Sequence, residues 1–559
     1  MNMATVVSQR DAELIDKKLR LFTELQGKRA AAFEGHWEEI ASLIDPNKRG
    51  TFTSGGVALT AGEKRTQQQV DATGMVALRR FAAICDSLLT PRNMRWHGLA
   101  ANNAYVMKDR ATREWFQKAT DALFKFRYAP EANFAMQNQS IFRGLGAYGT
   151  SAMFVDQLDD IRGRRGLRYK SMALGELFIH ENHQGVVDGF IRRLRYTARQ
   201  ALQKWGEEKF PDLLKGPLEK GSEQLFTFIH VVCPRDDYDP DRLDARGKPF
   251  LSCYISVEAR CLMQEGGYYS FPMAVSRYDQ EPDEVYGRSP AMDALPSLKT
   301  LNAEKTVFLK QGHRAADPVL LSKDDGLMNM NLRPGAINPG GWSSDGKPLV
   351  GVLPTGDIQI SKEMMAEEKA LINDVFLVTL FQILTETPTM TATEVIERTN
   401  EKGILLAPTV GGQQSGYLGP LIERELDLLG VMGVLEPMPP RLREAQGEYQ
   451  VIYTSPLSRA MKAQESAGFM RTLESVKDLV QITGDPGLLD PFNFDVAIPE
   501  IAEQQAVPVT WMATDDQIAG KRENRAKMQQ QQAAIQAMPA QAAMMKAQAV
   551  AAEKGGAPQ

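Results

Sequence analysis

Residues 375–384, VFLVTLFQIL, constrain this chain more than any other stretch. Ten residues are about half of what an apolar helix needs to cross a bilayer, so the run calls for burial inside a protein assembly. It follows a segment in which Ser361 can act as a helix cap and Glu363, Glu367 and Glu368 occupy the opening turns, where carboxylates complement the positive helix end. The spacing predicts a helix over 361–384 that becomes apolar almost all round. Such a helix must be buried, either within the chain or between subunits.

A second segment, VYGRSPAMDALPSLKTLN at 285–302, joins a polar loop to a well-signalled helix start. The Ser289 hydroxyl can cap, Pro290 suits a first helical position that needs no N–H, and Asp293 sits near the positive end. Pro296 restarts the helix one turn later. Leu298, Leu301, Lys305 and Phe308 then recur on one face, while Lys299, Glu304 and Lys310 lie largely off it.

The remaining pattern is α+β. Residues 1–130 read as helical: Phe33, Trp37, Ile40 and Ile44 line one face before a stop at Asp45-Pro46, and Met75, Leu78, Ala82, Cys85 and Leu89 do the same before Thr90-Pro91. Residues 50–62 read as a loop. Between 152 and 276 the pattern turns to short strands (AMFVD, LRYKSM, LFIHEN, VVDGFIRRLRYT, QLFTFIHVV, LSCYISVE), interrupted by a helix over 197–205. Residues 313–361, dense in Gly, Pro and Asp, predict a small strand-containing subdomain. Thr391 or Thr393 can cap a helix running to about Lys402. A Gly-rich loop leads to a helix over 420–429, EYQVIYTS is a strand, and helices resume at Pro456 and after Thr510. Residues 528–559 are nearly all Ala, Gln and Met, a tail that is disordered or helical only beside neighbouring copies.

A chain of 559 residues exceeds one hydrophobic core, so three or four regions are expected. The first 17 residues lack the basic start and apolar centre of a secretory signal, and a cytosolic origin is expected. Four cysteines, Cys85, Cys233, Cys253 and Cys261, show no close pairing and read as buried thiols. A net charge of −5 gives no general attraction for nucleic acid.

Three signals point towards enzymes, and each has a plainer reading. GWSSDGK at 341–347 matches a phosphate-binding loop except that Pro348 stands where Ser or Thr should hold Mg²⁺, and a strand-like LVGVLP follows where a helix should open. A tight turn fits better. Gly144, Gly146 and Gly149 make G-x-G-x-x-G, but a helix precedes and a strand follows, the reverse of a dinucleotide site. His180 with His183, and His230 with Cys233, lack a second half for a metal site. No catalytic, cofactor-binding or metal residue is predicted. Arg162, Arg164, Arg165 and Arg168 read as a solvated hairpin tip or a subunit contact and not as a DNA patch.

Five segments in order resemble the head-to-tail connector, or portal, proteins of short-tailed (T7-like) bacteriophages. They are FEGHWEEIASLIDP, LLTPRNMRWHGL, YGTSAMFVD, EVYGRSPAMDALPSLKTLN and TMTATEVIERTNEKG. The resemblance implies a helix-rich α+β portal fold that assembles as a dodecameric ring at one capsid vertex, made in the host cytoplasm and carried in the virion. It implies a wing at 1–285 and 392–455, stem helices at 286–312 and 361–391, a clip at 313–360, a crown at 456–527 and the tail at 528–559. The implied partners are double-stranded DNA, the major capsid protein, scaffolding protein, terminase, tail adaptor and internal core proteins, with no membrane. Glu363, Glu367 and Glu368 are candidate channel-lining residues. Thr385, Glu386, Thr387, Pro388, Thr389, Met390 and Thr391 are a candidate tunnel loop. Val375, Phe376, Val378, Phe381 and Leu384 are candidates for packing between stems. The alternatives are another structural virion component, or a nucleotide-binding enzyme using 341–347.

Overall fold

The structure is a computed structural model that describes residues 9–52, 69–107, 109–158, 165–207, 210–322, 331, 333, 337, 342–354, 358–379, 407–454, 456–484, 486–504, 511–513, 517–531 and 544–546. Two compact units divide the chain. The first joins Met1–Trp96, Ala122–Leu435 and Ser455–Met461; the second joins His97–Asp121, Glu436–Thr454 and Lys462–Gln559.

In the first unit, α1 (Gln9–Arg29) passes through one π-helical turn at Ala30–Glu34 into α2 (Gly35–Leu43). The buried Arg29 sits at that turn, its Nε donating to Glu34 at 2.9 Å and its Nη1 to the carbonyls of Leu174 and Leu177 at 2.9 and 2.6 Å. Pro46 ends α2 in a short 3₁₀ turn, and α3 (Thr73–Leu89) follows with Leu78, Phe81, Ala82 and Leu89 buried. The second unit takes β1 (His97–Ala101), α4 (Ala104–Met107) and most of α5 (Arg110–Arg127). β1 lies inside the stretch expected to be helical.

Back in the first unit, α6 (Phe134–Tyr148) precedes two antiparallel sheets. β2 (Thr150–Gln157), β3 (Leu167–Met172), β4 (Leu177–Glu181) and β5 (Val187–Thr197) are followed by α7 (Ala198–Trp205) and α8 (Asp212–Glu219). β6 (Leu225–Pro234), β7 (Phe250–Ser256), β8 (Cys261–Tyr268) and β9 (Met273–Arg277) complete them. The strand orders are β3-β2-β9 and β4-β5-β6-β7-β8. Thr197 and Gln200 form a reciprocal cap that starts α7 where the 197–205 helix is predicted. α1 covers one face of the five-stranded sheet, with Ile15 and Phe22 against Phe178, Ile191 and Val231. α7 and α8 cover part of the other face with Ala201 and Leu214 against Phe228.

Beyond the sheets come α9 (Pro290–Asp293), α10 (Leu295–Ala316), β10 (Leu320–Ser322), β11 (Val350–Val352), α11 (Ile358–Val375) and α12 (Gly419–Val431). In the second unit, α13 (Pro440–Glu444) and β12 (Tyr449–Tyr453) follow, and β12 pairs with β1 from His97↔Tyr453 to Ala101↔Tyr449. α14 (Pro456–Thr483) and α15 (Phe494–Gln504) follow, and residues 517–531 and 544–546 are helical as well.

The helix predicted over 361–384 starts earlier and is interrupted at Phe376 and Leu377, with helical backbone again at 378–379, and 380–384 lie outside the described residues. α11 starts at Ile358, so Ser361 lies inside it and does not cap it, and α11 ends at Val375. Leu377 then adopts φ +60°, a left-handed conformation that costs a non-glycine residue about 1 kcal/mol or more. This kink turns Phe376 into the chain's own core, where its ring meets Phe81 at 6.3 Å. Phe376 is 0% and Val378 2% exposed, so both are covered within the chain, which corrects the packing between stems expected of them. Phe381, Leu384, the tunnel loop at 385–391, the helix expected after Thr391, and most of the 50–62 loop lie outside the described residues.

Candidate functional site

The 285–302 segment is fixed by the helix-to-strand junction it packs on. Gly149, at φ +71°, closes α6, its N–H donating to Leu145 at 2.9 Å. A Cβ there would lie 2.2 Å from the carbonyl oxygen of Gly287, so only glycine lets the two strands of chain approach. The Ser289 hydroxyl accepts from the Met292 N–H at 3.1 Å, as a cap should, and donates to the Ala147 carbonyl at 2.9 Å. Arg277 ties the same loop to the β4–β5 turn, donating to the Val285 carbonyl at 3.3 Å, to Glu181 and, at 3.1 Å, to the Gly185 carbonyl. α10 therefore leaves the core from a rigid base.

α10 and α11 form a hairpin. β10 and β11, paired antiparallel from Leu320↔Val352 to Ser322↔Val350, return the chain so that α11 runs back beside α10. Leu298 and Leu301 share a core with Met365, Ile372 and Phe376. On the opposite side the apolar residues have no cover: Val307, Ile360, Met364 and Leu371 are half exposed or more.

The carboxylates of α11 do not share one environment. Glu363 and Glu367 are exposed, with Gln359 Nε2 donating weakly to Glu363 at 3.4 Å. Glu368 is half buried and faces Glu304 of α10, and each keeps one oxygen shielded from water and without a hydrogen-bond partner. Burial first, and the Glu368 charge second, push the Glu304 carboxyl above the usual range. Beside them Lys369 lies 3.7 Å from Asp71. Burial would raise the Asp71 carboxyl, but hydrogen bonds from Thr73 and the charges of Lys369 and Lys305 together hold it below its ordinary value.

The other candidate sites resolve into structural roles. Ser343 N–H donates to the Lys347 carbonyl at 2.9 Å and Trp342 bridges Pro348, so the described residues of the 341–347 loop form a tight turn leading to β11. Gly146 packs against Phe81, where a Cβ would come within 2.6 Å, and Gly149 caps a helix; this is a helix-to-strand turn. His180 lies 3.3 Å from Asp188. His230 and Cys233, three apart on β6, point to opposite faces: His230 stacks on Tyr254 at 4.1 Å, and Cys233 accepts from Lys18 at 3.0 Å. Among the described residues no three His, Cys, Asp or Glu side chains gather as a metal would need, and no described helix is long and apolar enough to cross a membrane. Cys233 and Cys253 are buried, whereas Cys85 and Cys261 are half buried. Arg165 and Arg168 donate to the carbonyls of Met432 and Glu131 at 2.9 and 2.7 Å, which makes them clamps within the chain; Arg162 and Arg164 lie outside the described residues.

A rigid base that projects a helical hairpin, with polar networks devoted to packing, defines an assembly component. Residues 16–512 match the model of the bacteriophage head to tail connecting protein family, and the chain belongs to that family. It is similar to the portal protein of Salmonella phage epsilon15, 27% identical over 539 residues, covering 94% of this chain and 92% of that one. It is equally similar to a probable portal protein of Bordetella phage BPP-1, 27% identical over 547 residues and 94% of each chain.

Proposed function

We propose that copies of this chain close into a dodecameric ring at one capsid vertex, whose channel carries double-stranded DNA inward during packaging and outward on ejection. The observation that carries this reading is the α10–α11 hairpin, which keeps one side in the core and leaves Val307, Ile360, Met364 and Leu371 uncovered on the other. A heterologous contact repeated by rotation covers such a surface and closes on itself. The hairpin is then the stem, 313–360 the clip that meets terminase and later the tail adaptor, 1–285 and 392–455 the wing, and 456–527 the crown. The capsid, scaffolding and internal core proteins meet the ring's outer and inner rims.

Val375, Phe376 and Val378 brace the stem from within each copy, leaving Phe381 and Leu384 for packing between copies. Thr385 to Thr391 form the tunnel loop, with hydroxyls and Met390 that can approach a duplex without gripping phosphate. Of Glu363, Glu367 and Glu368, Glu367 supports a channel role best: it is exposed, and repeated round a ring it repels phosphate so that DNA slides. Negative-stain imaging of the purified chain tests the assembly: rings with a central hole are expected, and a solitary globule under every condition and within particles overturns it. Replacing Glu367 and Glu368 with Gln should leave rings intact and change DNA packaging or retention. No change in either removes their channel role.

A further inference from the structure

We propose that neighbouring copies meet edge to edge through the α10–α11 hairpin, with Lys310 of one copy paired to Glu363 of the next. This rests on the ring reading above. The register of the hairpin is set by two observations: Glu304 faces Glu368, and Asn302 of α10 and Lys369 of α11 reach the adjacent residues Val70 and Asp71, at 2.8 and 3.7 Å. Lys310 lies six residues beyond Glu304, about 9 Å further from the core, and Glu363 lies five residues before Glu368, about 7.5 Å in the same direction. The two charges therefore stand at the same level to within roughly one residue's rise.

They stand on opposite edges. At 3.6 residues per turn, Thr306, Lys310 and His313 fall on the side of α10 turned away from α11, and Glu363, Ala366 and Ala370 on the side of α11 turned away from α10. All but Thr306 are exposed. One edge is basic; the other is acidic, with two alanines that let a neighbouring helix come close. No described ion pair involves Lys310 or Glu363. Two helix diameters, about 20 Å, separate them within a copy, so neither can satisfy the other there. A ring contact needs two different patches of one chain that are complementary at equal height, and these edges are such a pair. The occupant of each edge is a second copy of this chain.

Carbodiimide treatment of assembled rings joins a lysine amine to a touching carboxylate as an amide with loss of water. The expected result is a ladder of covalent multimers whose digests contain the Lys310–Glu363 linked peptide. Lys310→Glu should lose rings, and adding Glu363→Lys should restore them, which separates a charge contact from a folding defect. Rings that form in the parent without that linked peptide, and double variants that stay unassembled although circular dichroism shows them folded, overturn this contact and leave the ring standing. A parent chain that never forms rings overturns the ring itself.

Discussion

Arg127 and Glu425 form an ion pair that is completely shut off from water, both side chains 0% exposed. Arg127 Nε reaches both carboxylate oxygens at 3.1 Å, and the Tyr169 hydroxyl donates to Glu425 Oε1 at 2.7 Å. The guanidinium also lies 4.6 Å over Trp96. Burial works against the Arg127 charge, but Glu425 more than compensates and holds the proton more firmly than in water. The pair ties the end of α5 to α12 and β3.

Glu425→Gln leaves that guanidinium buried beside a neutral amide. The variant should lose about 3–5 kcal/mol of stability, because an uncompensated internal charge costs far more than a pair contributes. Replacing both partners, as Arg127→Met with Glu425→Leu, should cost less than the single change. Urea unfolding followed by tryptophan emission, to which Trp96 contributes, measures the difference.

His230 gives the fold a dependence on pH. Burial, followed by the charges of Lys204 and Arg192, pushes its imidazole down to about 3, and it stays neutral with Nε2 2.9 Å from the Ser252 hydroxyl. An unfolded chain protonates this ring near pH 6.5. The depressed value means that its full contribution is present above about pH 6.5 and is lost as pH falls from there towards the folded value. His230→Gln should flatten that part of the stability profile, by up to ~1.4 kcal/mol for each pH unit. Parallel slopes for parent and variant between pH 6.5 and 4 would show that the ring titrates freely in the folded chain.

Where a local rule decided the outcome, the sequence was readable. Ser289-Pro290 started a helix, Asp45-Pro46 and Thr90-Pro91 ended two, and Thr197 capped a third, because capping hydroxyls and prolines act within a few residues. What depended on distant partners was not readable. β1, HGLAA, carries no strand pattern of its own and pairs with residues some 350 positions away, and β8 contains Gly266 and Gly267, which weaken its strand signal. Phe376 belongs to the core because of Phe81 and a left-handed Leu377, and neither follows from counting apolar residues along 375–384. In the same way Glu363, Glu367 and Glu368 look alike in the sequence, yet only the register of two helices brings Glu368 to Glu304.

That facing pair makes the last prediction. Glu304 holds its proton above the usual carboxylate range, so the folded chain binds a proton that the unfolded chain has already released. The sign is the reverse of His230: stability is greatest below the unfolded value, about 4.3, and declines as pH rises through the interval up to the raised one. At neutral pH the two like charges oppose each other across the hairpin. Glu304→Gln removes the repulsion and lets the amide donate to Glu368, so the variant should melt at a higher temperature than the parent at pH 8 and at the same temperature near pH 3.5. The gain is modest because water screens a partly exposed pair. In a ring the repulsion recurs in every copy, and the variant's rings should accordingly resist low salt better than the parent's, where screening is weakest. Equal melting temperatures at pH 8 would mean that the two carboxylates do not sense each other.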